Sequence, residues 1–141
     1  MSEVWYVASD SETSLIMPGD LSPPLVCVST SCRGPDGVLA TDLMLHEEGL
    51  AFYRRVLLDQ RLLLVIHNAP YDLAVACNED PSLVPLVFDA YLAGRVVCTV
   101  TLQKLIDVAL GQRKFRRPTE GYHLQGVVKS TYTLKDLVHL Y

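Results

Sequence analysis

Leu62-Leu63-Leu64-Val65-Ile66 is the feature that most restricts the fold, because nothing in it is polar. A strand with one face in water alternates apolar and polar residues, whereas a strand covered on both faces, as parallel strands are, reads as a continuous apolar run. The sequence before it, Glu47 to Gln60, has a helical pattern, with Leu50, Tyr53, Val56 and Leu57 at three- and four-residue steps. The sequence after it, His67-Asn68-Ala69-Pro70-Tyr71-Asp72, reads as a helix start: Asn68 suits an N-cap and Pro70 the first turn. A buried strand between two helices implies a crossover connection and an α/β fold.

Three further strands precede that unit. Val4-Trp5-Tyr6-Val7-Ala8 is an apolar strand that runs into Asp10-Ser11-Glu12-Thr13. Pro23-Pro24 introduces Leu25 to Thr30, and the turn Gly34-Pro35-Asp36-Gly37 leads into Val38 to Thr41. Short turns between consecutive strands suggest an antiparallel meander. Trp5, Val7, Val26, Val28, Leu63 and Val65 are the expected core of the sheet.

Asp10 and Glu12 are two residues apart, so on a strand both point to one side. Side-by-side carboxylates at the end of a buried strand repel each other; a divalent cation, a shared proton or solvation relieves this. Oxygen-only ligands suit Mg²⁺ or Mn²⁺. A solvated acidic turn would carry the same residues. Asp72 falls in the first turn of its helix, at the C-terminal end of the apolar strand, where open α/β sheets place their ligands. An acidic residue there also favours the helix dipole, with or without a ligand.

Beyond Asp72 the helix runs to about Asn78, and Asp80-Pro81 breaks it. Ser82 can cap a further helical segment through Leu92, closed by Gly94-Arg95. Val96-Val97-Cys98 is a short strand, and Thr99 caps a helix carrying Leu102, Leu105, Ile106, Ala109 and Leu110. Arg113-Lys114-Phe115-Arg116-Arg117 is the one dense basic run. It reads either as a solvated loop or as a nucleic-acid contact with Phe115 available for stacking. No repeat or linker interrupts the chain, so residues 1–141 are expected to form a single domain.

Composition narrows the class. Half of the 141 residues are hydrophobic, which excludes a disordered chain. No apolar run approaches the roughly 18–20 residues needed to span a bilayer, so no membrane partner is expected. Met1-Ser2-Glu3 lacks the basic start of a signal peptide, and Cys27, Cys32, Cys77 and Cys98 show neither C-x-x-C nor zinc spacing. Both features point to an intracellular protein. The net charge of −4 argues against a broad electrostatic grip on nucleic acid, but acid concentrated at a metal centre is reversed in sign by the cations.

Two stretches together resemble a known family. Asp10-Ser11-Glu12-Thr13 is similar to the first exonuclease motif of the DEDD superfamily, and Asn68-Ala69-Pro70-Tyr71-Asp72 to the second. The chain looks like the 3′–5′ exonuclease domain of a family-A DNA polymerase or a stand-alone relative. Arg95 to Thr99 with the Leu-rich helix resembles the segment that follows the second motif, and Tyr132 to Leu137 the short helix before the third. The resemblance implies a ribonuclease-H-like mixed sheet of strand order 3-2-1-4-5, strands 1–3 antiparallel and 4–5 parallel, with helices on both faces. It implies that Asp10, Glu12 and Asp72 hold two Mg²⁺ or Mn²⁺ ions, about 4 Å apart in such sites, and catalyse phosphodiester hydrolysis. It places the terminal nucleotide of a single-stranded DNA 3′ end against Thr13, Asn68 and Tyr71, with Ile16 as an apolar wedge between the last two bases. Loop packing would account for Ile16 equally well. RNA remains open as a substrate, and a polymerase domain is the implied partner.

The family's third motif, Tyr- or His-x-x-x-Asp, supplies a fourth carboxylate and orients the attacking water. It follows the Leu-rich helix in relatives. Here Tyr132 and Asp136 have the spacing but fall where the preceding helix should start. The expectation is therefore a C-terminally incomplete exonuclease domain, weak or inactive as it stands. The alternatives are a degenerate, non-catalytic module of the same fold that binds nucleic acid or a protein, and an unrelated α/β domain.

Overall fold

The computed structural model describes residues 5–19, 22–33 and 37–111. Three antiparallel strands come first: β1 (Trp5–Thr13), β2 (Leu25–Arg33) and β3 (Leu39–Leu45). They are followed by α1 (His46–Leu58), β4 (Leu62–Ile66), α2 (Ala69–Glu79), a 3₁₀ turn (Pro81–Leu83), α3 (Val84–Leu92), β5 (Val96–Cys98) and α4 (Thr99–Ala109). The five strands form one mixed sheet of order β3-β2-β1-β4-β5. β2 pairs antiparallel with β1 and β3, and β4 pairs parallel with β1 and β5. This is the strand order and direction expected of the ribonuclease-H-like arrangement. Residues Met1–Thr99 and Val100–Tyr141 make up two compact units, and the sheet lies in the first. Among the described residues no helix is long and apolar enough to cross a membrane.

The core lies between one face of the sheet and helices α1 and α2. Register sets Val7 opposite Leu64 and Ser9 opposite Ile66, so these four side chains share that face. Val28, opposite Ser11, joins them. Phe52, Tyr53, Val56 and Leu57 of α1 and Leu73, Val75 and Ala76 of α2 close over them. Gly49 of α1 meets the sheet closely: a Cβ there would stand 2.7 Å from Val28 Cγ2. Only glycine allows that approach.

Two of the six expected core residues are buried. Val7 and Val28 are buried, but Trp5, Leu63 and Val65 are half-buried and Val26 is 48% exposed. The apolar run Leu62–Ile66 reads as uniform, yet α1 and α2 cover only the face of Leu64 and Ile66. Leu63 and Val65 pair with Tyr6 and Ala8 on the other face. Val26 is exposed for a local reason. Glu12 pairs with Cys27 and Thr13 with Leu25, which leaves Val26 as the extra residue of a β-bulge.

Helix ends show how the chain turns. Asp80, rather than Ser82, caps the segment that follows α2: its side chain accepts the Ser82 N–H. Gly94 leaves α3 with φ +68°, the left-handed conformation that terminates helices, and the next residue is Arg95. Arg95 is buried, and its guanidinium donates to the carbonyls of Val56, Leu57 and Asp59. A cation thus meets the unsatisfied carbonyls at the end of α1, where the helix dipole is negative.

Candidate active site

β1 is longer than its parallel neighbour. Pairing with β4 stops at Ser9–Ile66, while β1 continues to Thr13 with only β2 beside it. Residues 10–13 therefore overhang the C-terminal end of β4. The burial pattern of β1 alternates there as expected: Ser9 and Ser11 face the core, and Asp10 and Glu12 are exposed together on the opposite face.

The overhang is held by α2. After Ile66 the chain turns through His67 and Asn68. Asn68 has φ 64° and ψ 44°, the only positive φ of a non-glycine residue among those described. Asparagine tolerates this conformation better than most residues. It stands at the N-cap of α2 as expected, but its side chain makes no capping bond; its carbonyl accepts the Tyr71 N–H at 2.9 Å. The sharp turn sets Pro70 and Asp72 in the first turn of α2. Asp72 is 2% exposed, and its Oδ1 accepts the backbone N–H of Ser11 at 2.8 Å. The carboxylate so takes the donor that β4 is too short to reach, midway between Asp10 and Glu12 in sequence.

Two hydroxyl pairs complete the tether. Tyr53 Oη of α1 and Ser11 Oγ lie 2.7 Å apart, and Tyr71 Oη of α2 and Thr13 Oγ1 lie 3.0 Å apart. Burial pushes the Tyr53 hydroxyl up to about 12, against the opposing hydrogen bond from Ser11; the negative charges of Asp72 and Asp10 add to the rise. Asp72 is also raised above the usual carboxylate range. Burial is the main cause, the Ser11 N–H opposes it, and the charge of Asp10 raises it further. That coupling places Asp10 and Asp72 within electrostatic reach of each other.

The structure thus brings Asp72 to the strand end that carries Asp10 and Glu12, and joins Thr13 to Tyr71. Asn68 is exposed at the start of α2. Ile16 is 60% exposed, between Leu15 and Met17, in the segment that follows β1. Arg113, Lys114, Phe115, Arg116 and Arg117, and also Tyr132 and Asp136, lie outside the described residues. Among the described residues no three His, Cys, Asp or Glu side chains form a group able to hold a metal ion. Sequence reasoning missed Tyr53 and Ser11 as part of this constellation. The available signal was a hydroxyl on each inner face, since buried polar groups need partners. His67 Nδ1 and Thr99 Oγ1, 2.9 Å apart, form a second link that was not anticipated.

No protein-family model matches the chain, and no curated protein matches it.

Proposed function

We propose that the chain is a metal-dependent 3′–5′ exonuclease domain that hydrolyses phosphodiester bonds at a single-stranded DNA 3′ end inside the cell, in association with a polymerase. The observation that carries this reading is the docking of buried Asp72 on the Ser11 N–H, next in sequence to Asp10, at the C-terminal ends of two parallel strands. The donor set fits hard divalent cations: Asp10, Glu12 and Asp72 offer only carboxylate oxygen, and among the described residues no cationic side chain pairs with them. Mg²⁺ or Mn²⁺ held there would supply an activated water and charge stabilisation at the leaving oxygen. The chain's own contribution is positioning. The Ser11 N–H fixes one oxygen of Asp72, the Thr13–Tyr71 pair braces the strand end, and the exposed Asn68 and Ile16 would contact the terminal nucleotide.

One observation favours a second reading, a non-catalytic module of the same fold. The described residues do not close into a three-ligand group. A single experiment separates the two. Melting temperature is followed against Mn²⁺ concentration, and release of nucleotides from a 5′-labelled single-stranded DNA is measured in parallel, with an RNA of the same sequence as the comparison. The exonuclease reading expects Mn²⁺ to raise the melting temperature, because a ligand of the folded state stabilises it. It also expects Asp10→Ala to remove the rise. Release by residues 1–141 should be weak, since a poorly oriented water alone loses about 10²-fold. No effect of Mn²⁺, with no release, would leave the non-catalytic module.

A further inference from the structure

At the end of the sheet opposite Asp10 and Glu12, α1 and the core face of the sheet diverge around a groove of about 630 Å³. Its cause is in the side chains. On this face β2 and β3 carry Thr30, Cys32 and Ala40, too small to fill the gap beneath the helix. Val7, Met44, Phe52 and Val56, all buried, form an apolar floor. The charged residues of the lining are Arg33, Arg55, Arg61 and Asp42, an excess of cations in a chain whose net charge is −4. Arg61 is already held by Asp59 through two hydrogen bonds. Arg55 is different. Its guanidinium lies 5.9 Å from the centre of the Phe52 ring, and it has no carboxylate partner among the described residues.

The volume is that of a small-molecule site, within the usual range of about 300–1,000 Å³, and such sites combine apolar walls with a few polar anchors. We propose that this groove binds a small organic anion, its apolar body on Phe52, Val56, Met44 and Val7 and its carboxylate, sulfonate or phosphate head on Arg55. Guanidinium groups match such heads in shape and charge. The excess of arginine at the mouth selects an anion over a neutral amphiphile of the same body. This site is separate from the carboxylates of β1 and does not depend on their role.

The probe is 8-anilinonaphthalene-1-sulfonate, titrated into the full 141-residue chain and read by fluorescence. Saturable one-to-one binding is expected, displaced by decanoate or by 1-naphthoate but not by decanol. Preferential displacement by decanoate marks an aliphatic body, and by 1-naphthoate an aromatic one. Arg55→Ala should weaken binding about tenfold, the loss of one charge-assisted contact, and Arg55→Lys should recover only part of it, since an ammonium keeps the charge but not the planar fork. Ala40→Trp should abolish binding by filling the groove, with Cys32→Phe from the neighbouring strand serving if the first variant does not fold. Near-UV circular dichroism verifies folding of each variant. Displacement by decanol as readily as by decanoate, or wild-type binding in Arg55→Ala and in the filled variants, overturns the proposal.

Discussion

Replacing Asp72 with Asn should make the metal-free protein more stable at neutral pH. The carboxylate is 2% exposed, accepts one N–H, and is raised above the usual carboxylate range by burial and by Asp10. A group whose folded pKa exceeds its unfolded value contributes stability that is complete below the unfolded pKa and is lost as pH rises through the folded pKa. At pH 7 the ionised carboxylate is therefore a cost to the fold. Asn keeps an oxygen for the Ser11 N–H. It gives up the difference between a charge-assisted and a neutral hydrogen bond, roughly 1 kcal/mol, and removes an incompletely compensated buried charge, roughly 1–3 kcal/mol. The net gain is on the order of 1 kcal/mol, or about 3–5 °C in melting temperature for a chain of this size.

Thermal melts from pH 3 to pH 8 in chelator read this out. Wild type should lose stability above about pH 4, near the unfolded Asp value, through the raised folded pKa, and the Asp72→Asn variant should lack that loss. Saturating Mn²⁺ should reverse the ranking, because about a hundredfold excess over Kd stabilises the wild type by about 2.7 kcal/mol. An Asp72→Asn variant that is less stable than wild type in chelator at pH 7, with an unchanged pH profile, would refute the reasoning. The carboxylate would then be compensated by the protein itself.

Gly49→Ala should lower stability by about 1–2 kcal/mol in urea melts: about 1 kcal/mol of helix propensity is gained, but the new Cβ meets Val28 Cγ2 at 2.7 Å in a packed core. Combining it with Val28→Ala should cost less than the sum of the two single changes, measured as a double-mutant cycle. Arg95→Met should destabilise by about 2–4 kcal/mol, also in urea melts, since it strips three carbonyls near the end of α1 of their charged donor. Tyr53→Phe should cost about 1–2 kcal/mol by leaving Ser11 Oγ buried without its partner, and it should loosen the strand end enough to weaken Mn²⁺ stabilisation.

Period-two alternation was enough to place Asp10 and Glu12 on one face, and the Asn-Ala-Pro stretch was enough to place Asp72 in a first turn. Both are local, set by backbone geometry within a few residues. What the local pattern could not contain is which face of a strand the helices cover. Leu63 and Leu64 are chemically identical, and only the register with β1, more than fifty residues away, buries one and half-exposes the other. The bulge that exposes Val26 is likewise a product of pairing between two strands. The left-handed backbone of Asn68 was masked by its side chain, which makes it look like an ordinary N-cap.

The Ser11 contacts show the same boundary at the candidate site. The Tyr53 hydroxyl and the Asp72 carboxylate approach one residue from two different helices, across 42 and 61 residues of sequence. Neither contact follows from composition or periodicity. The Asp72 contact follows from the mismatch in length between β1 and β4, which leaves the Ser11 N–H beyond the last β4 residue and in need of another acceptor; the Tyr53 contact follows from the inward face of Ser11, whose buried hydroxyl needs a partner. On the proposed reading Asp72 would carry two roles that chemistry can separate. As a substitute for a strand partner it needs only an acceptor oxygen, and Asn supplies one. As a metal ligand it needs its charge, and Asn does not supply that. On the prediction above an amide would hold the strand end better, and a cation-binding role would account for the carboxylate that stands there instead.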